Sequence, residues 1–169
     1  LVSQVKASIL IVDGYNIIGS WDELKVLKES DFGSAREQLI ANLSAYYPWC
    51  WERIIVVFDG RSYHWQRTAG VEVVFTEGSE SADTMIEKLA AGLSLYFQVE
   101  VATSDFAELR AVSALGANVL SARALRERLE AEREAYREKL ARKNKKGGLL
   151  LNDLLQQSVL ERLEKMRRP

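Results

Sequence analysis

Short apolar runs rich in Val and Ile recur through the first 120 residues, at Ser8 to Val12, Arg53 to Phe58, Val71 to Phe75, Val99 to Thr103 and Asn118 to Leu120. Runs of this length, apolar on consecutive positions, read as strands buried on both faces. The stretches between them repeat apolar residues every three or four positions, and predict amphipathic helices over Ser34 to Tyr46, Ala82 to Leu95 and Phe106 to Leu115. Strands alternating with helices imply an α/β fold whose mostly parallel sheet is covered on both sides.

After residue 121 the pattern changes. The stretch from Ala122 to Asn144, which contains ALRERLEAEREAYREKLARKN, sets Glu and Arg or Lys at helical spacing and predicts one long helix. Leu125, Leu129, Ala135, Tyr136 and Leu140 are available to face the body. Lys145-Lys146-Gly147-Gly148 is expected to break it, with Asn152 or Asp153 capping a last helix through Met166. The expected organisation is a core over residues 1–121 and a helical extension over 122–169 packed on it, a single domain overall. A chain of 169 residues can bury one substantial core, not two.

Charge sharpens this division. Net charge is −1, yet residues 1–120 carry 9 Lys and Arg against 16 Asp and Glu, and residues 121–169 carry 14 against 8. An acidic body with a basic arm suggests either solvated helical charge or a surface for a polyanion. Lys139, Arg142, Lys143, Lys145 and Lys146 are the cations that would attract one. The single cysteine, Cys50, excludes an internal disulfide and a zinc site of several thiolates. No apolar run approaches the roughly 20 residues of a membrane span, so no membrane association is expected.

The chemistry concentrates where strands end. Ligands of open parallel sheets bind beyond the carboxyl ends of the strands. Asp13 and Asp59 each end an apolar run, Asp105 follows Thr103-Ser104, and Glu80 with Asp83 lies between the run ending at Phe75 and the next helix. Any one of these could simply cap a helix or start a turn. Several carboxylates converging without Lys or Arg would repel one another, and a divalent cation is the usual compensation. Mg2+ or Mn2+ takes such oxygen ligands and can activate water against a phosphodiester.

Other acidic α/β designs fit poorly. A phosphoaspartate phosphatase wants a second Asp two positions after the first, where Tyr15 stands; a phospho-receiver wants adjacent acids at the first strand and a Lys after the last, where Ser121-Ala122 stand. No glycine-rich phosphate cradle is present, so no small-molecule organic cofactor is expected.

Taken together, ILIVDGYNIIG (Ile9 to Gly19), VVFDG (Val56 to Gly60), VVFTEGSESADTMIEKL (Val73 to Leu89) and VATSD (Val101 to Asp105) closely resemble the NYN family of PIN-like nucleases, in particular its YacP-like branch of bacterial and plastid ribosome-associated endoribonucleases. The resemblance covers nearly the whole chain. It implies a three-layer PIN-like fold, a metal-dependent site, and cleavage of RNA, in this branch mRNA on translating ribosomes. The implied compartment is bacterial cytoplasm, or plastid stroma if a transit peptide has been removed. Carried over by residue, Asp13 would be the central metal ligand, Asp83 and Asp105 would complete the site, and Glu80 would be a further ligand or a neighbouring base. Asn16 would fix the loop or the bound phosphate, and Asp59 would orient water or Asn16 or touch the metal. Thr103 and Ser104 would bond ligands or cap the next helix.

The stretch Gly60 to Gly70 varies in such proteins and reads as a loop. Its Arg61, Tyr63, Trp65 and Arg67 combine cations with stacking surfaces suited to single-stranded RNA. His64, the only histidine, is expected to be solvated there and to have no catalytic part. Tyr46, Tyr47, Trp49 and Trp51 are expected to bury a helix-to-strand corner. The expected function is a metal-dependent endoribonuclease; the alternative is an RNA- or ribosome-binding module that keeps the fold without turnover.

Overall fold

The computed structural model describes residues 7–47 and 49–167, with side chains described as far as Lys145. In chain order it contains β1 (Ser8–Asp13), α1 (Gly14–Ser20), α2 (Asp22–Ser30), α3 (Phe32–Ser44), β2 (Arg53–Phe58), β3 (His64–Thr68), β4 (Val71–Phe75), α4 (Ala82–Leu93), β5 (Gln98–Ala102), α5 (Phe106–Ala114), β6 (Asn118–Leu120) and α6 (Ala122–Arg167). Six strands make one sheet in the order β3-β4-β2-β1-β5-β6. Every neighbouring pair is parallel except β3 and β4. The α/β architecture expected from the alternating pattern is the one observed.

Strand parity decides which side each residue serves, because successive side chains point to opposite faces. Ile9 and Ile11 of β1, Ile55 and Val57 of β2 and Val99 and Val101 of β5 form a core with Ile86 and Ala90 of α4 and Val112 of α5. Each fully buried Ile here stabilises the fold by about 1.5–3 kcal/mol. Asp13 continues the series Ile9, Ile11 and so turns toward α4 and α5 at the carboxyl end of the sheet. Leu10, Val12, Ile54 and Val56 point the other way and are fully buried, as are Ile17, Ile18, Leu39 and Leu43 of α1 and α3. The start of α6 is fastened at the same side: the Trp21 indole N–H donates to the Ala122 carbonyl at 2.9 Å, Arg126 lies over the Trp21 ring at 4.8 Å, and Arg126 pairs with Glu23.

Helix α1 has a weak sequence signal, since Gly14, Asn16 and Gly19 are poor helix formers, and α2 is only nine residues long. Their burial of Ile17, Ile18, Trp21 and Leu24 holds them. Two expectations need correction. Part of the supposed loop from Gly60 to Gly70 is an edge strand, β3, paired antiparallel to β4 through a turn at Ala69 and Gly70, both with positive φ (50° and 84°). That geometry matches the twist of a tight hairpin, and its polar residues, all exposed, hid the strand from an apolar pattern. Second, no break occurs at Lys145-Lys146-Gly147-Gly148: α6 runs continuously to Arg167. Each glycine costs a helix only about 1 kcal/mol, whereas a break would leave several backbone groups uncapped at each new end. Asn152 and Asp153, expected as caps, fall where side chains are outside the described residues.

The corner residues divide. Trp51 and Tyr46 are buried, while Trp49 is exposed with its indole N–H on the Ala45 carbonyl. The chain forms two compact units, residues 1–127 and 128–169. Within the second, Tyr136 and Leu140 are exposed. No helix among the described residues is long and apolar enough to cross a membrane.

Candidate active site

Three elements deliver carboxylates to one point at the carboxyl edge of the sheet. Asp13 ends β1 and caps α1, its carboxylate accepting from the Asn16 backbone N–H at 3.3 Å. The helix can begin immediately because residue 14 is glycine: a Cβ there would lie 2.1 Å from the Phe58 ring. Asp83 sits in the first turn of α4, which Ser81 caps and which Asp59 anchors by accepting the Ala82 N–H at 2.8 Å. Glu108 sits in the first turn of α5, capped by Asp105, whose carboxylate accepts from Ala107 N–H at 2.8 Å and Glu108 N–H at 3.2 Å. One oxygen from each of Asp13, Asp83 and Glu108 lies within 4.8 Å of the other two.

The hydrogen bonds around this cluster fix its shape more than they neutralise it. The Thr103 hydroxyl, fully buried, accepts from the Asp105 N–H at 3.1 Å and donates to Asp13 at 3.4 Å. The Asn16 side-chain oxygen accepts from the Ser104 N–H at 2.7 Å, tying α1 to the β5–α5 loop. Ser104 in turn accepts the Ala122 N–H at 3.0 Å and so secures the start of α6. Glu108, only 3 % exposed, has neither carboxylate oxygen in a hydrogen bond of acceptable geometry. A buried carboxylate in that condition is costly unless protonated or matched by a cation.

Electrostatics bear this out. Burial pushes the Glu108 carboxyl up to about 8, with the charges of Asp13 and Asp83 adding to the rise, against a lowering influence from Thr103. Asp13 is also raised, first by burial and then by Asp83 and Asp59, although the Asn16 N–H opposes this. Asp83 is raised by burial and by the charges of Asp105, Asp59 and Glu87. Among the described residues no ion pair of Lys or Arg involves any of the three.

The donors suit a small divalent cation. Ligands at about 2.0–2.1 Å on an octahedral ion place opposed oxygens about 4.2 Å apart. Only one pair of three ligands can be opposed and the others stand about 2.9 Å apart, so the three oxygens, now within 4.8 Å of one another, would draw inward on binding one. Oxygen-only donors favour Mg2+ or Mn2+ over metals that prefer nitrogen or sulfur.

Of the residues singled out from the sequence, Asp13 and Asp83 meet in the cluster. Asp105 and Asp59 stand close enough to act on Asp83 by charge, and one oxygen of each accepts from a helix start, Asp105 at α5 and Asp59 at Ala82 of α4, as one oxygen of Asp13 does at α1. Glu80 is paired with Lys88 and is outside the cluster. Asn16 fixes the loop. Glu108 escaped the sequence reading, and one signal could have found it: it lies four residues before Val112, on the face that α5 turns to the core. A carboxylate at an apolar helical position is unusual enough to ask what it faces.

On β3, the alternation sets Tyr63, Trp65 and Arg67 to one side. The Trp65 indole donates to Glu72 at 3.1 Å, and Arg67 lies 3.8 Å from Glu72 and 5.9 Å from the Tyr47 ring, so both are partly held by the sheet. Arg61 and Tyr63 are exposed. Lys139, Arg142, Lys143 and Lys145 line a shallow depression along α6. The Lys146 side chain falls outside the described residues.

A parallel sheet with acidic residues gathered at the carboxyl ends of β1 and its neighbouring helices marks the chain as a PIN-like α/β protein. More narrowly, it belongs to the YacP-like NYN domain family, whose model matches residues 10–168. It is 40% identical over 168 residues to the YacP protein of Bacillus subtilis strain 168, covering 95% of this chain and 96% of that one. The crystal structure of Rae1 (YacP) from Bacillus subtilis is similar at 41% identity, with a TM-score of 0.66 over 95% of this chain and 94% of that one. The crystal structure of a point mutant of that Bacillus subtilis protein matches at 44% identity and a TM-score of 0.67, over 77% of this chain and 80% of that one. Membership of the NYN family places the chain within the PIN-like nuclease superfamily.

Proposed function

We propose that this protein is a metal-dependent endoribonuclease that hydrolyses phosphodiester bonds of RNA, with mRNA on translating ribosomes as its target. The observation that carries the reading is the buried Glu108 carboxyl, without a hydrogen-bond partner, set against Asp13 and Asp83. Such an arrangement is unfavourable by itself and becomes favourable once a cation of charge +2 is shared among the three. Asp13, Asp83 and Glu108 would hold Mg2+ or Mn2+. When bound, that ion supplies Lewis acidity toward a phosphate oxygen and lowers the pKa of water.

The chain's own residues then have distinct tasks. Asp13 is held in place by the Asn16 N–H and the Thr103 hydroxyl. Asp83 is held by the capped start of α4, and Glu108 by the capped start of α5. Asp105 and Asp59, each with charge near Asp83, add to the negative potential that a cation would offset. In the reaction the water oxygen bonds to phosphorus, one P–O ester bond breaks, and the departing oxygen leaves as a hydroxyl. Family membership supports RNA as substrate, and the exposed cations along α6 supply attraction for a polyanion.

The test is cleavage of translated and naked RNA with Mg2+ or Mn2+, comparing the parent with Asp13→Asn. Loss of cleavage in the variant, with folding retained, is the expected result. Equal cleavage by both removes the site assignment; no cleavage by either, with ribosome binding intact, leaves a binding module.

A further inference from the structure

A second surface lies on the α1–α3 side of the sheet. Lys28 lies in the last turn of α2, Phe32 opens α3 and Arg36 follows Phe32 one turn later on the same helix. The Lys28 ammonium is 5.2 Å from the centre of the Phe32 ring. Phe32 is 46% exposed and meets Tyr15 edge-on at 5.8 Å. Arg36 donates to the Tyr15 hydroxyl at 3.1 Å and lies 5.7 Å from the Phe75 ring. Tyr15 packs on Phe58 at 4.9 Å, on the face of the sheet that α1 and α3 cover.

Among the described residues neither Lys28 nor Arg36 forms an ion pair, although the body as a whole is acidic. The nearby Asp31 carboxylate is occupied in capping α3 through Gly33 and Ser34. Phe32 leaves nearly half its surface in water while its ring is held in orientation by Tyr15. Unpaired cations flanking a fixed, exposed ring suit a ligand with alternating negative charge and flat bases, which describes a single nucleic acid strand.

We propose that Lys28, Phe32, Arg36 and Tyr15 form a platform for single-stranded RNA, with one base stacked on Phe32 and the adjoining phosphates on Lys28 and Arg36. This assignment rests on the nuclease reading for the identity of the ligand, but it can fail separately. The platform gives an acidic body two cations, held by ring and hydroxyl contacts, with which to meet a polyanion.

The test measures binding of a fluorescein-labelled 12-nucleotide single-stranded RNA by the full chain carrying Asp13→Asn, in Mg2+. In that background Phe32→Ala weakens binding roughly tenfold, as loss of one base–aromatic stack requires, while Phe32→Trp retains it. Lys28→Gln and Arg36→Gln each lower the slope of log Kd against log salt by about 0.7. Phe32→Leu keeps an apolar side chain against Tyr15 and shows by its melting temperature whether folding is preserved. Unchanged binding by Phe32→Ala, or equal binding of the single strand and its duplex, overturns the platform. If Asp13→Asn abolishes cleavage while Phe32→Ala binds and cleaves normally, the nuclease reading stands and the platform falls. If Phe32→Ala loses binding but the parent never cleaves, the platform stands and the nuclease reading falls.

Discussion

Replacing Glu108 by Gln removes a carboxyl that burial pushes up to about 8 and should change how stability depends on pH. In the folded protein Glu108 holds its proton up to about pH 8, against an ordinary value of 4.5. Between these values the native state binds more protons than the unfolded chain, so stability falls as pH rises through the window and levels off above it. At 1.36 kcal/mol per pH unit the interval corresponds to about 5 kcal/mol. The titration of Glu108 is tied to the charge of Asp13 and ionisation draws in water, which brings the expected loss to about 2–5 kcal/mol. Glu108→Gln stays neutral at every pH and can donate to Asp13, so its stability without metal should be flat across this window apart from a small contribution from Asp13 and Asp83. Urea denaturation in EDTA at half-unit intervals from pH 5 to 9 measures both slopes. Mg2+ should stabilise the parent more at pH 8 than at pH 6, because loading requires release of the Glu108 proton, and should stabilise the variant much less. Parallel pH profiles for parent and variant in EDTA would refute the argument that Glu108 is buried without compensation.

Two other substitutions examine the scaffold and the arm. Gly14→Ala introduces a Cβ 2.1 Å from the Phe58 ring and should destabilise by about 1–3 kcal/mol or more, read as a lower urea midpoint; an unchanged midpoint would mean that the β1–α1 turn is not sterically fixed. Neutralising Lys139, Arg142, Lys143 and Lys145 together to Gln should leave thermal stability nearly unchanged, since these side chains are exposed, while lowering the salt slope of RNA binding by about 3 if each meets a phosphate. An identical slope would show that the arm is solvated and does not touch RNA.

The sequence determined the fold class because burial on both sheet faces demands nearly continuous apolar strands, and those runs are visible without neighbours. The strands Arg53–Phe58, Val71–Phe75 and Asn118–Leu120 have the bounds expected of them. The place of Asp13 at the carboxyl edge, at the end of β1, was legible because strand parity and the carboxyl-edge rule need only local sequence. The exposed strand His64–Thr68 was hidden, since an edge strand pairs on one side and carries polar residues that give no apolar signal. Continuity of α6 through Gly147 and Gly148 was hidden too, because the cost of glycine must be compared with that of two uncapped helix ends.

What only tertiary structure decided was which carboxylates meet. Asp105 and Glu80 hold the expected places in sequence, yet one is engaged as a helix cap and the other is drawn to Lys88. Glu108, on the apolar face of α5, turns inward to complete the group with Asp13 and Asp83. The difference is a matter of direction: sequence gives the order of acidic residues along the chain, whereas the tilt of α5 and its cap at Asp105 decide where a side chain points. Charge repulsion among the three then follows from distance and burial, neither of which is written in the spacing of residues.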